Sequence, residues 1–518
     1  MLRINNIKVS LSETDYAKVI STQLNVPKRM IKNVKLLKRS IDARRSNVHF
    51  NCSFIFEVDL EERLLNRHKK ILSLYEPYHY DYPVKNNKKV TIVGSGPAGL
   101  FCAYVLSQIG EDVHLIERGK KVEERVKDVD ALFKDGTINP ESNISYGEGG
   151  AGTFSDGKLT TGTKNKRIRY ILETFVKHGA PEEILYESLP HIGTDRLREV
   201  LISMRKDILE KGGKISFETK FTNYYEEDGK HYVEVESKGK KEVLETDDLV
   251  LAIGHSARDT YEMLSKKLIM IPKAFAVGVR IEQKQEKINE IQYKSAAHHP
   301  ALKAAPYKLA VQTSKKRGVY TFCMCPGGVV VPSSEEEGLL CVNGMSYYAR
   351  DKENANSAVL VNVTPDDFGH DVLDGVRFQK ELEKKAYALG GGQLKAPVQK
   401  VEDYMNNVAS VELGNIIPSY KPGYTLANIN EVFPSFINEN LKEGFTLMNK
   451  RMPGFIDEDT VITAVESRSS APVRITRDKQ MHSNVEWIYP IGEGAGYAGG
   501  IMSSAVDGIL CAEQICKQ

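Results

Sequence analysis

The chain has 518 residues, 41% of them apolar, with 40 glycines spread along it, which excludes a disordered polymer; at this length about two or three domains are expected. The formal charge is only +2, yet the first 88 residues are strongly net positive and the remainder net negative, an asymmetry compatible with an acidic partner or a nucleic acid. No apolar run reaches bilayer-spanning length, the opening MLRINNIKVSLSETD lacks a signal-peptide core, and an odd seven cysteines argue against a disulfide scaffold, so a soluble cytoplasmic protein is expected.

Residues 4–10 read as a strand, and Ser12 with Asp15 offers a cap for a helix to about Leu24. Pro27 opens a turn or short helix, and 34–41 read as a second strand. From Val48 onward apolar and polar positions alternate, so Val48, Phe50, Cys52, Phe54, Phe56 and Val58 share one sheet face. Residues 1–86 are therefore expected to form a small basic α+β domain. Its Lys28, Arg29, Lys32, Lys35, Lys38, Arg39, Arg44 and Arg45 read either as a nucleic-acid surface or as a solvated face that docks on the acidic remainder. No nucleic-acid motif accompanies them, which favours the second reading. Residues 81–89, with Pro83, read as a linker.

The strongest signal is VTIVGSGPAGL at 90–100. Val90, Ile92 and Val93 make a buried strand, and Gly94, Gly96 and Gly99 follow as G-x-G-x-x-G. The first glycine permits a tight turn, the second lets a pyrophosphate approach the backbone, and the third lets helix and strand pack closely. Ser95, Pro97 and Ala98 complete the turn, with Pro97 suited to a first helical turn whose unpaired N–H groups meet phosphate. A strand at 113–116 ends at Glu117, 23 residues beyond Gly94 and placed for the hydroxyls of an adenosine ribose, with Arg118 beside it. These residues specify a dinucleotide site.

YGEGGAGTFSDGKLTTG, at 146–162, holds too much glycine for a packed helix or central strand and reads as a loop against a ligand. Gly149, Gly150, Gly152, Thr153 and Ser155 are its contact candidates; Lys158 either balances phosphate charge or lies on the surface. Helices are expected at 166–178 and 195–210, the second capped by Thr194, then strands at 214–218, 231–237 and 241–245. A buried strand at 247–254 closes on Gly254. Residues 272–459 have mixed periodicity, as an inserted α/β domain would. Within them FCMCPGGVVV sets Cys323 and Cys325 on one side of a strand. They read as a redox thiol pair or as two small packing side chains, and C-x-C, awkward for a relaxed disulfide, favours packing. No metal site is expected, since Cys341 is the one nearby third thiol. GGGQLKAP at 390–397 is a further loop candidate. ESRSSAPVRI offers Arg468 and Arg474 to an anionic substrate or to structural salt bridges. A strand at 487–491 then leads into Gly492, Glu493, Gly494, Gly499, Gly500 and Ile501, a second glycine-rich helix start.

VGSGPAGL with LIERG, DDLVLAIGHS and IYPIGEGAGYAGGIMSSAVDG resemble the glutathione-reductase-like superfamily of FAD-binding oxidoreductases. With YGEGGAGTFSDGKL, PKAFAVGVRIE, FCMCPGG and ESRSSAPVRI added, nearly the whole chain resembles the bacterial family of uncharacterised FAD-dependent dehydrogenases. The resemblance implies FAD, with its ribose on Glu117, its pyrophosphate on the Gly94 turn, and 492–501 over the ribityl and flavin. It implies an α/β protein whose FAD-binding Rossmann domain is split into 87–271 and 460–518 by a substrate domain at 272–459. A second G-x-G-x-x-G is missing, as is a C-x₄-C pair near the first helix, unlike the two-dinucleotide disulfide reductases. The expected activity is hydride or electron transfer between flavin and a small organic substrate, with Cys323, Cys325 and Arg468 weighed for catalysis. NAD(P)H is the expected transient reductant, or a redox protein the partner. A flavin-containing RNA-binding or RNA-modifying protein, and a protein with purely structural FAD, are the competing readings.

Overall fold

The computed structural model describes residues 1–45 and 47–517. Strand Lys89–Val93 is buried from Val90 onward and pairs with Asp248–Leu251 on one side and Asp112–Ile116 on the other. Ile488–Pro490 and Lys214–Ser216 complete a five-stranded sheet in which every pairing is parallel. Such strands are apolar along their length because both faces are covered, one by helices and the other by Phe221, Tyr224, Val233 and Val235 of a β-meander together with Tyr261 and Leu264. Helix Pro97–Gln108 is buried from Ala98 to Ser107, sharing one apolar core with the sheet and the last helix, Ile501–Ile515. Glycine permits this crowding: a Cβ on Gly99 would fall 1.9 Å from the Gly94 oxygen, and one on Gly508 2.0 Å from the Ala98 oxygen. The two ends of the nucleotide-binding unit are thereby locked together.

The expected strand at 214–218 divides. Lys214–Ser216 joins the parallel sheet, Glu218 turns at a φ of +50°, and Thr219–Glu227 begins a three-stranded meander with Lys230–Ser237 and Lys240–Thr246. The second helix, Thr194–Glu210, is capped by Gly193 at a φ of +79°, not by Thr194. Thr194 instead donates its hydroxyl to the Thr153 carbonyl at 2.5 Å.

A seven-stranded sheet runs in the order Ala310–Gln312, Gly318–Cys325, Asn354–Val363, Phe275–Lys284, Val461–Glu466, Ala396–Lys400, Tyr424–Leu426. All its pairs are antiparallel except the last. Helices Asp374–Leu389 and Ser435–Arg451 contribute Leu382, Ile437, Leu441 and Phe445 to the core against it. Val461–Glu466 sits in this sheet, past residue 459, and the chain crosses back where Val473–Ile475 pairs with Met270–Pro272. The 390–397 loop closes the end of helix Asp374–Leu389, where a Cβ on Gly390 would meet the Lys395 oxygen at 1.8 Å; it takes no part in the cavity described below.

The N-terminal unit is a four-stranded antiparallel sheet ordered Lys32–Asp42, His49–Glu57, Leu2–Val9, Leu72–Leu74. The alternating set from Val48 to Val58 is buried throughout. Asp15, not Ser12, caps helix Tyr16–Leu24 by accepting from the Lys18 N–H at 3.0 Å. Part of the basic strand docks on the rest of the chain: the Arg39 N–H donates to the Tyr186 oxygen at 2.7 Å, and its guanidinium holds Glu187. Among the described residues no helix is long and apolar enough to cross a membrane.

Candidate functional site

A cavity of about 1580 Å³, counting its open mouth, lies where the parallel strands end, the usual ligand position in open α/β sheets. Two helices start on it, with Gly96 and Gly500 as N-caps and no side-chain cap on either, so their first N–H groups are available to an anion. The glycine-rich loop passes so close to the first turn that a Cβ on Gly150 would lie 3.0 Å from the Gly96 Cα. An elongated, doubly phosphorylated ligand such as FAD fits this cradle of bare backbone.

Glu117 stands at the cavity wall, 5% exposed. One carboxylate oxygen accepts from the Ser95 N–H (2.9 Å) and hydroxyl (2.8 Å), the other from the Gly119 (2.9 Å) and Gly147 (3.0 Å) N–H groups. A carboxylate has about four lone-pair positions, so these four donors fill it. Glu117 therefore staples the phosphate turn to the glycine loop, and ribose hydroxyls reaching it must share or displace the Ser95 hydroxyl. Glu117→Gln sets an NH₂ group against these donors. We expect it to lower the thermal midpoint of the flavin-stripped protein as well as the holoprotein. An unchanged midpoint in the stripped protein would mark Glu117 as a ligand contact alone.

The loop is held from below by Arg125, on helix Val122–Asp135. Its guanidinium is wholly buried and donates to the carbonyls of Asn143 (2.8 Å), Ile144 (2.8 Å), Glu148 (2.7 Å) and Gly150 (3.0 Å). Arg118 lies over the Tyr146 ring at 4.1 Å and makes a two-pronged contact with Asp259, both distances 3.0 Å.

At the other end the wall is built by Asp156, Lys158, Phe322, Cys323, Asn343 and Glu466. The Lys158 ammonium donates to the Met324 carbonyl and lies 3.8 Å from Asp156 and 4.0 Å from the Cys325 sulfur. Asp156 also pairs with Arg350, at 3.1 Å to Nε. Arg280, fully buried, binds Glu466 at 2.8 Å, the Asn356 side chain at 2.8 Å and the Cys323 carbonyl at 2.5 Å. Burial pushes the Glu466 carboxyl up to about 7 in spite of Arg280.

Arg468 also borders the cavity, but its donors are committed. Nε and Nη2 grip Glu383 at 2.9 and 2.8 Å, and Nη1 meets Glu335. Arg258 grips the same Glu383 at 2.7 and 2.9 Å. The Arg468 guanidinium is thus held between two buried carboxylates, Glu383 and Glu335.

Of the residues expected from sequence, Gly94, Gly96, Pro97, Ala98, Glu117 and Arg118 line the cavity from the first turn, and Gly150, Gly152, Ser155 and Lys158 from the loop. Gly254, Gly492, Glu493, Gly499, Gly500 and Ile501 line it from the later strands and the last helix. Six others stand behind the wall for packing reasons. Ser95 serves Glu117, Gly99 abuts the Gly94 oxygen, and Gly149 is pressed on Leu201. Thr153 donates to the Glu148 carbonyl, Gly494 abuts Gly254, and Cys325 lies behind Cys323. Sequence reasoning missed Arg125, Arg280, Asp156 and Glu466, and also Thr219, Lys220 and Phe221, which the meander brings to the wall.

A parallel sheet with a glycine turn, a carboxylate closing its second strand and a second helix start on the same cavity define a dinucleotide-binding oxidoreductase. Residues 89–132 match the family model for pyridine nucleotide-disulphide oxidoreductase, 274–469 that for FAD-dependent protein, C-terminal domain-like, and 1–57 a domain of unknown function. The chain is 47% identical to an uncharacterized protein of Clostridium beijerinckii, over 100% of this chain and 99% of that one. It belongs to that protein's family, a bacterial family of FAD-dependent oxidoreductases. Among solved structures, CtdE in complex with FAD is 12% identical with a TM-score of 0.34, covering 83% of this chain and 84% of that chain. A geranylgeranyl bacteriochlorophyll reductase-like protein from Thermoplasma acidophilum is 12% identical with a TM-score of 0.33, covering 83% and 78%.

Proposed function

We propose that FAD lies along the cavity from the Glu117 end to the Glu466 end, and that a small organic substrate meets it beside Phe322, Cys323, Asn343 and Glu466. The observation that carries this reading is the continuity of the cavity, which joins two uncapped helix starts to the buried Glu466 carboxyl held by Arg280. The flavin, when bound, supplies the electron or hydride chemistry. The chain's residues orient, shield and handle protons. N–H groups after Gly96 receive phosphate, and those after Gly500 favour negative charge at the opposite end. Glu466 gives or takes a proton at the reacting atom, and Arg280 fixes the orientation of its carboxyl. Lys158, held by the Met324 carbonyl and Asp156, keeps that end electropositive.

The electron donor in this reading is NAD(P)H, which visits the cavity without a binding domain of its own, in the cytoplasm. The purified protein is expected to show a flavin spectrum, to release FAD on acid treatment, and to bleach on anaerobic mixing with NADH or NADPH. Protein that releases no flavin would sink the reading; bleaching by neither nucleotide would move the donor role to a redox protein.

A further inference from the structure

The N-terminal unit has a second sheet face that its own core does not use. Strand Leu2–Val9, helix Tyr16–Leu24, strands Lys32–Asp42 and His49–Glu57, helix Glu61–Arg67 and strand Leu72–Leu74 follow one another as β-α-β-β-α-β, and the sheet order puts the first and third strands at its centre. This is the ferredoxin-like arrangement, in which both helices lie on one side of a four-stranded sheet. That side is the core, where Ile20, Leu24 and Leu64 pack in one cluster with Ile4, Phe54 and Phe56. The unit's contacts with the rest of the chain come from the same side and from the strand edge. Arg39 joins Tyr186 and Glu187, the Ser12 hydroxyl lies 3.1 Å from the His299 ring, and Leu302 packs against the core cluster. The opposite face is turned outward.

Register assigns the side chains of that face. Arg3, Ile55 and Lys35 form one cross-strand row, Ser53 and Lys38 the next, and Lys8, Asn51 and Ser40 a third. Lys8, Lys35 and Lys38 are exposed and Arg3 is half-buried, its Nε donating to the Asn5 side chain at 2.8 Å. Among the described residues none of these four cations forms an ion pair. The carboxylates of the face stand at its two ends, Glu57 accepting from the Asn33 amide at 2.7 Å and Asp42 holding the Arg44 Nε at 3.0 Å. Four uncompensated cations therefore occupy three adjacent rows, with amide and hydroxyl side chains between them. The rows are two residues apart along His49–Glu57, a step of about 6.7 Å, comparable with that between phosphates of an extended single strand.

We propose that this outward face binds a single-stranded nucleic acid, its phosphates on Arg3, Lys8, Lys35 and Lys38 and its sugars and base edges over the Asn51 amide. RNA-recognition domains use a four-stranded sheet in the same way and stack bases on its aromatic side chains. No Phe, Tyr or Trp stands in the three rows, so attraction to phosphate carries the affinity here and sequence preference is small. An acidic protein segment fits the face less well. Protein interfaces anchor on large apolar or aromatic side chains, and the single apolar residue of these rows, Ile55, is already buried. A polyanion needs no such anchor: it needs cations at its own spacing, and these four have no carboxylate to give up first.

The test is fluorescence anisotropy of labelled oligouridylate and oligothymidylate, each about 12 nucleotides long, titrated with the full chain as purified over a salt series. Four phosphate contacts predict that the logarithm of the binding constant falls with that of salt at a slope of about −3. Lys35→Glu combined with Lys38→Glu is expected to weaken binding at least about tenfold at about 50 mM salt and to make the slope shallower by about 1.4. Lys69→Glu with Lys70→Glu makes the same charge change at exposed residues of this unit outside the three rows, and is expected to hold affinity within about threefold. Tighter binding of the uridylate assigns RNA as the ligand, and equal binding assigns either strand. Equal losses in the two double variants would reduce the effect to net charge and overturn the site. No anisotropy change with either strand at about 50 mM salt, or displacement by polyglutamate at equal charge, would overturn the choice of ligand. None of these readings involves the flavin.

Discussion

Arg125→Leu is expected to cost about 3–5 kcal/mol of stability and to yield protein purified without flavin. Leucine fills much of the space but leaves the carbonyls of Asn143, Ile144, Glu148 and Gly150 buried with no guanidinium to receive. Burial pushes this guanidinium down to about 9, with Glu117 and Glu148 opposing the shift, so it remains a cation at neutral pH. Its loss also removes the positive charge that faces those two acids, and Glu117 is the staple between turn and loop. Arg125→Lys keeps the charge, yet one ammonium cannot reach four carbonyls in different directions, and a partial rescue is expected. Thermal unfolding together with flavin-to-protein stoichiometry measures both effects. A leucine variant with full flavin content and an unshifted midpoint would mean the loop holds its shape unaided.

That residue also marks what the sequence makes legible. The Gly94 turn is readable because its chemistry is local: strand, turn and helix start are contiguous, and each glycine answers a contact within the motif or with the next strand. Arg125 sits in EERVKD, an unremarkable amphipathic stretch, and the loop carbonyls it binds lie 18 to 25 residues further along. Glu466 is fixed by Arg280, 186 residues away, and no spacing rule connects them. For Arg468 the chemistry was visible but the partners were not, since Glu335 and Glu383 approach from other parts of the chain. Cys323 and Cys325 were expected on one side of a regular strand; the bulge that sets Cys323 and Met324 against the single residue Ser357 is a property of the pairing strand as much as of their own. Val461–Glu466 is fully buried and reads as a central strand of whichever sheet receives it. Periodicity thus reports an element and its burial, while its neighbour is decided by packing.

Glu466→Gln is expected to lower turnover by about 10²–10⁴-fold and to remove an inflection near pH 7 from the rate profile. Glutamine can still accept from Arg280, so the fold keeps its internal contact and the variant isolates the proton. The same group leaves a mark on stability. Its carboxyl titrates at about 7 when folded against an ordinary 4.5, so between those values the native chain binds more protons than the unfolded one. Stability through this group is therefore fully present below the lower value and declines as pH rises through the upper one. Denaturant unfolding of the native chain should show that decline between about pH 4.5 and 7, and Glu466→Gln, which cannot ionise, should flatten it. Because the two measurements share one titration but not one readout, agreement between them assigns the group. An inflection near 7 that survives in the glutamine variant would place the working proton elsewhere, whatever the variant's rate.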